Sequence, residues 1–145
     1  MTVTAIDIAD VLGGSHILRR RLATLGALND AVSQGLPKAA LQQTAARIFA
    51  DKREQRRLMY RIVPEATYKR RRDRLTAAES ERTERMARVV ASAEFVWDNR
   101  DEARRFLTTP HPALSGKTPV EAAMTELGAR QVEEILGKIF HGLPV

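Results

Sequence analysis

Between residues 52 and 74 the chain carries ten Lys and Arg against three Asp and Glu, a local net charge of +7. Side chains of this type answer phosphate. Arg presents a fork of donors that fits a guanine edge or a phosphate, Lys supplies a point charge, and each such contact releases counterions from a nucleic acid. Lys69-Arg70-Arg71-Arg72 are four consecutive cations, which on a helix would step by about 100° each and wrap around it. That crowding is self-repulsive unless something anionic faces it. The preceding residues, Pro64-Glu65-Ala66-Thr67-Tyr68, read as the start of a short helix that enters the major groove, with Thr67, Tyr68 and Arg71 sharing much of one side. Lys69 and Arg70 flank them, and Arg72 and Arg74 reach phosphates. Double-stranded DNA is favoured over RNA, because Tyr68 is the one aromatic of this helix on which an unpaired base could stack.

No comparable set of residues supports catalysis. The chain has no cysteine, which excludes a thiol nucleophile, thiolate metal ligands and disulfides. His16, His111 and His141 lie at no metal-ligand spacing with a carboxylate or with each other. Ser115-Gly116-Lys117-Thr118 resembles the end of a phosphate-binding loop. The first glycine of that motif would fall on His111, however, and no strand precedes it. Glu133 and Glu134 are adjacent on a helix and point apart, which suits a solvated face better than an acid–base pair. The expectation is a protein without catalytic residues, cofactor or metal.

Taken whole, 145 residues at 43% hydrophobic and 29% charged can bury a core and resemble neither a disordered nor a membrane protein. No run of ten apolar residues occurs, and MTVTAIDIADVLGG has neither the basic leader nor the apolar block of a signal peptide, so a cytoplasmic location is expected. Residues 1–75 carry a net +8 and residues 76–145 a net −2, which suggests a polyanion for one half and a different partner for the other.

The periodicity predicts an all-α fold. Ser15 caps a helix carrying Ile17, Leu18, Leu22 and Leu25 and running through Leu28 and Val32 to a stop at Gly35. Pro37 opens the next helix, with Leu41, Ala45, Ile48 and Phe49 as its stripe. Asp51 and Glu54 form a reciprocal cap for a helix from Lys52 to Arg61. Pro64 then begins the basic helix, with Ile62 and Val63 plugging the turn. Thr76 and Glu79 form a second capping box, opening a long helix with Met86, Val89, Val90, Ala93, Val96 and Trp97 in step. Its polar first turns, Glu79 to Arg85, project into solvent or against a second copy. Asp98 or Asn99 caps a helix bearing Phe106 and Leu107. After a Pro- and Gly-rich loop, Thr118-Pro119-Val120-Glu121 starts another helix, and a last one aligns Val132, Ile135, Leu136 and Ile139.

Three segments in this order resemble the Xre/MbcA/ParS antitoxins: Thr67 to Arg71 followed by Leu75 to Arg82, then Phe106 to Pro119, and then Thr125 to Glu133 followed by Ile139 and Gly142. The likeness runs from about residue 60 to the end. It departs from the family pattern at Phe106 for Trp, His111 for Asn and Ser115 for Gly. The resemblance implies a type II toxin–antitoxin antitoxin with an N-terminal helix-turn-helix and a C-terminal toxin-binding domain. The usual toxin of the family is a RES-domain enzyme that destroys NAD. By this resemblance DNA contact falls on Thr67, Tyr68, Lys69, Arg70 and Arg71. Toxin contact falls on the last helix and tail: Val132, Ile135, Leu136, Ile139, Phe140, His141, Leu143 and Val145.

The expected organisation is a helix-turn-helix domain over 1–75, joined by the long helix to a toxin-binding domain over 76–145. The chain would act as a homodimer, or a higher oligomer with the toxin, on double-stranded operator DNA, with no membrane involved. The tail either inserts into a partner's cleft or packs on its own core. The alternative function is a stand-alone dimeric helix-turn-helix regulator without a toxin partner.

Overall fold

The computed structural model describes residues 2–145, and its regular elements are helical, as expected. In chain order they are α1 (Ala5–Val11), α2 (Gly14–Leu18), α3 (Leu25–Gln34), α4 (Lys38–Ile48), α5 (Lys52–Ile62), α6 (Glu65–Arg70), α7 (Ala77–Trp97), α8 (Arg100–Leu107), a 3-10 turn (Pro112–Leu114), α9 (Pro119–Ala122) and α10 (Glu126–Phe140). Among the described residues no helix is long and apolar enough to cross a membrane.

The 21-residue α7 is the spine. It packs against α1, α3, α4 and α5 from the first half of the chain and against α8 and α10 from the second. Met86, Ala87, Val89, Val90 and Ala93 are fully buried on several of its sides, as a helix enclosed by neighbours requires. Leu12, Leu36, Leu41, Ile48, Val63, Leu107, Val132 and Leu136 complete one continuous apolar cluster spanning both halves.

The helix starts follow local chemistry. Thr76 with Glu79 and Thr118 with Glu121 form reciprocal capping boxes, Pro119 occupies the first turn of α9, and Asn99 caps α8. At Asp51 the cap is one-sided: its carboxylate accepts from the Arg53 amide, while Glu54 turns to Arg57 at 3.4 Å. Thr4 and Asp7 form a further reciprocal box that opens α1, a helix not among those expected although its capping residues stand in the sequence.

Three expectations are corrected. The helix predicted from Ser15 to Gly35 is two, because Arg19 ends α2 in the left-handed region (φ 61°) and the Thr24 hydroxyl caps α3 afresh. Ser15 lies inside α2, and Leu25 faces solvent while Leu18 and Leu22 are buried. Pro37 precedes α4 as its cap residue rather than occupying the first helical position. The polar start of α7 does not project outward, since Glu79, Ser80 and Thr83 are buried. The Ser80 hydroxyl accepts from the Leu36 amide at 2.8 Å, and Arg82 donates to the Ile62 carbonyl at 2.9 Å. Polar side chains at this seam satisfy the backbone of the loops that they cover. Gly35 belongs to the same seam. At φ 100°, a Cβ there would collide with the Leu75 carbonyl, so the backbones of 35–38 and 73–75 can bridge.

Candidate nucleic-acid and partner interfaces

The segment expected to form the helix-turn-helix is α5, the turn at Val63-Pro64, and α6. Leu58, Met59, Ile62 and Val63 are buried beneath it, as their spacing predicts. Pro64 precedes the six residues of α6, none of which is fully buried. Tyr68 holds this short helix in place. Its hydroxyl donates to the Lys38 carbonyl at 3.3 Å, its ring meets Tyr60 edge-on at 6.1 Å, and the Lys38 ammonium sits 4.5 Å above it. Burial, with Tyr60 nearby, raises the Tyr68 pKa.

The four cations do not wrap one helix, because α6 ends at Arg70 and Arg71 turns extended (φ −64°, ψ 135°). Arg71 reaches inward to Glu79 with two parallel bonds of 3.1 and 2.9 Å. The hydrogen bond to Arg71 holds the Glu79 carboxyl below its ordinary range and raises the guanidinium in turn. The same carboxylate closes the capping box of α7, so Arg71 staples the end of the basic helix to the spine. Arg74 donates to the Gly35 carbonyl at 2.8 Å, and Lys38 to the Arg71 carbonyl at 2.9 Å.

Of the residues expected at DNA, Tyr68 and Arg71 therefore support the surface, and Arg74 is exposed but anchored. Lys69, Arg70 and Arg72 face solvent, with Thr67 half-buried beside them. Lys69 lies 3.5 Å from Glu65 on the same helix, and Arg70 reaches the Thr67 hydroxyl at 3.5 Å. Lys38, Glu79 and Ser80 were missed as supporting residues. Thr76–Glu79 was legible as a cap, but no local pattern tells that the same carboxylate holds Arg71.

At the other end, α10 buries Val132, Ile135 and Leu136, at 0, 5 and 0% exposure. These three cannot touch a partner while the helix stays packed, which corrects their placement in a contact surface. Ile139 is half-buried against the core. Phe140, His141, Leu143 and Val145 are exposed, with the tail turned back through a Leu143 amide bond to the Lys138 carbonyl at 2.8 Å. Phe95, out of step with the apolar stripe of α7, joins them with its ring 5.7 Å from Phe140. That misfit with the helical period was the signal for an outward aromatic. Trp97 is also more exposed than its spacing implied and lies against Phe106 at 6.2 Å. In the loop, the His111 ring nitrogen accepts from the Ala113 amide at 3.1 Å, and Ser115 adopts the left-handed conformation (φ 57°) that glycine takes more readily. Gly128 lets α10 approach α9, since a Cβ there would collide with the Ala122 carbonyl.

Between these surfaces an ion cluster joins α7 to α10. Arg88 lies 3.5 Å from Glu84, 3.2 Å from Glu126 and 3.4 Å from Glu133, and Arg85 lies 3.1 Å from Glu126. Burial raises the pKa of Glu84 and Glu133 despite Arg88. At Glu126 burial acts the same way, but the two arginines outweigh it and lower the value. Glu133 is thus part of this seam rather than a solvated residue, while Glu134 is exposed.

Among the described residues no group of three His, Asp or Glu is placed to hold a metal ion. A family model for the antitoxin Xre-like helix-turn-helix domain matches residues 27–88, and one for the antitoxin Xre/MbcA/ParS C-terminal toxin-binding domain matches residues 92–142. The chain is 40% identical over 84 residues to an antitoxin Xre of Pseudomonas putida, covering 56% of this chain and 53% of that protein. It is 32% identical over 71 residues to an antitoxin Xre of Yersinia enterocolitica, covering 48% of each. The matched stretches thus span about half the length of these curated relatives.

Proposed function

This chain belongs to the Xre/MbcA/ParS antitoxins, and we propose that it neutralises an NAD-degrading RES-domain toxin and represses its own operon from the cytoplasm. The tail from Phe140 to Val145 covers the toxin's active-site cleft. The exposed cations Lys69, Arg70 and Arg72 bind promoter DNA as part of a homodimer or a larger complex with the toxin. The observation that carries this reading is the uncovered apolar cluster at and just beyond the end of the stretch that matches the toxin-binding domain: Phe140 is 47%, Leu143 55% and Val145 55% exposed. Apolar side chains clustered in solvent mark a surface made to be covered.

The test is co-expression with the product of the neighbouring gene, followed by co-purification and an assay of cellular NAD. A stable complex and preserved NAD support the proposal. A chain that binds its promoter yet neither co-purifies with that product nor protects NAD is a stand-alone regulator instead. Promoter DNA should be preferred over random duplex by about a thousandfold or more, and equal affinity for both removes autorepression from the proposal.

A further inference from the structure

The matched helix-turn-helix domain begins at residue 27, but the cationic surface does not. Arg19, Lys38, Arg72 and Arg74 line one open groove of about 600 Å³, with His16 and the single carboxylate Asp73. Arg19 and Arg74 also line an adjoining groove of about 170 Å³, to which Arg20 contributes. Both grooves are rigidly backed: the Lys38 amide donates to the Asp73 carbonyl at 2.9 Å and the Leu75 amide to the Leu36 carbonyl at 2.8 Å. Arg19, Arg20 and Arg72 are exposed, and among the described residues none has a carboxylate within 4.0 Å. Arg19 is held at φ 61°, a conformation that a glycine would take without strain. Arg72 lies two residues beyond the end of α6, whose Lys69 and Arg70 are exposed.

We propose that Arg19 and Arg20, together with Arg72 and beside the anchored Arg74, form a second contact surface for the sugar–phosphate backbone of double-stranded DNA, next to the groove that α6 enters. This rests on α6 being the DNA-reading helix and extends its footprint to the segment before the matched domain. The added surface holds a phosphate backbone without reading bases, so it strengthens binding to every sequence alike.

The test uses the full chain, fluorescence anisotropy, and two duplexes of about 30 base pairs, one from the gene's own promoter and one of mixed sequence, titrated between about 50 and 200 mM salt. Arg19→Gln with Arg20→Gln should lower the slope of log affinity against log salt by about 0.9 for each phosphate no longer neutralised. The promoter-to-random ratio should stay the same, and Arg19→Lys with Arg20→Lys should retain the slope. An unchanged Tm shows that the variants fold. A slope change smaller than that of a single phosphate overturns the second surface. If Lys69→Gln with Arg70→Gln still abolishes promoter preference in that case, the reading of α6 stands alone. If the parent chain binds neither duplex at the lowest salt, both fall together.

Discussion

Around α6, Lys69, Arg70 and Arg72 point into solvent, with Glu65 beside Lys69 as their one carboxylate within 4.0 Å among the described residues, whereas along the α7–α10 seam Arg85 and Arg88 share Glu84, Glu126 and Glu133. The residue types are the same, and their surroundings make them different. In the seam, charge is neutralised inside the chain and fastens two helices. At α6 it is left open, while the neighbouring Arg71 is withdrawn onto Glu79 so that the short helix is held. A run of cations in one sequence block thus divides into supports and surface, and position relative to α7 decides which is which.

The strongest way to sharpen this contrast is at the far end of the molecule. Deleting residues 141–145 removes only exposed side chains, so protection against the toxin should be lost while promoter binding stays within about twofold. Retained protection in a cell-growth and NAD assay would move the contact surface off the tail. Next, Lys69→Gln with Arg70→Gln should weaken promoter binding by about a hundredfold, or about 2.7 kcal/mol, with Tm unchanged. A fall in Tm instead would place these two among the supports.

Arg88→Met tests the closed side of the comparison. It leaves three carboxylates crowded without their shared cation, and unfolding free energy at pH 7 should drop by about 2 to 3 kcal/mol in denaturant titration. Glu84 and Glu133 have pKa values raised in the folded state, so that state binds their protons more tightly than the unfolded chain. Stability from these two therefore grows as pH falls from above the raised values towards the ordinary carboxylate range, and the deficit of Arg88→Met should shrink over that interval. Glu79 acts oppositely. Its lowered pKa gives a contribution that is present above the ordinary carboxylate value and lost as pH falls through the lowered one. The smallest effect is expected for Tyr68→Phe, which removes a single 3.3 Å hydrogen bond to Lys38 and should cost about 1 kcal/mol or less.

Much of the fold was legible because helix starts are local. Thr76 with Glu79, Thr118 with Pro119 and Glu121, and Asn99 each carry their capping partner within three residues. The buried stripes of α5 and α10 followed from spacing alone. The break at Arg19 was not legible, since an arginine rarely ends a helix left-handed. Nor was the burial of Glu79, Ser80 and Thr83, whose surroundings include loops many residues away.

The linear order of residues determined that the chain is helical, where most helices begin, and that residues 52–74 hold an excess of positive charge, because caps, periodicity and composition act over a few neighbours. Tertiary structure alone decided which cations are free. It turned Arg71 inward onto Glu79, tied Arg74 to Gly35, and set Arg19 beside Arg72. A charge is available to a partner only where the packed chain leaves it without an internal one, and that depends on segments far apart in sequence.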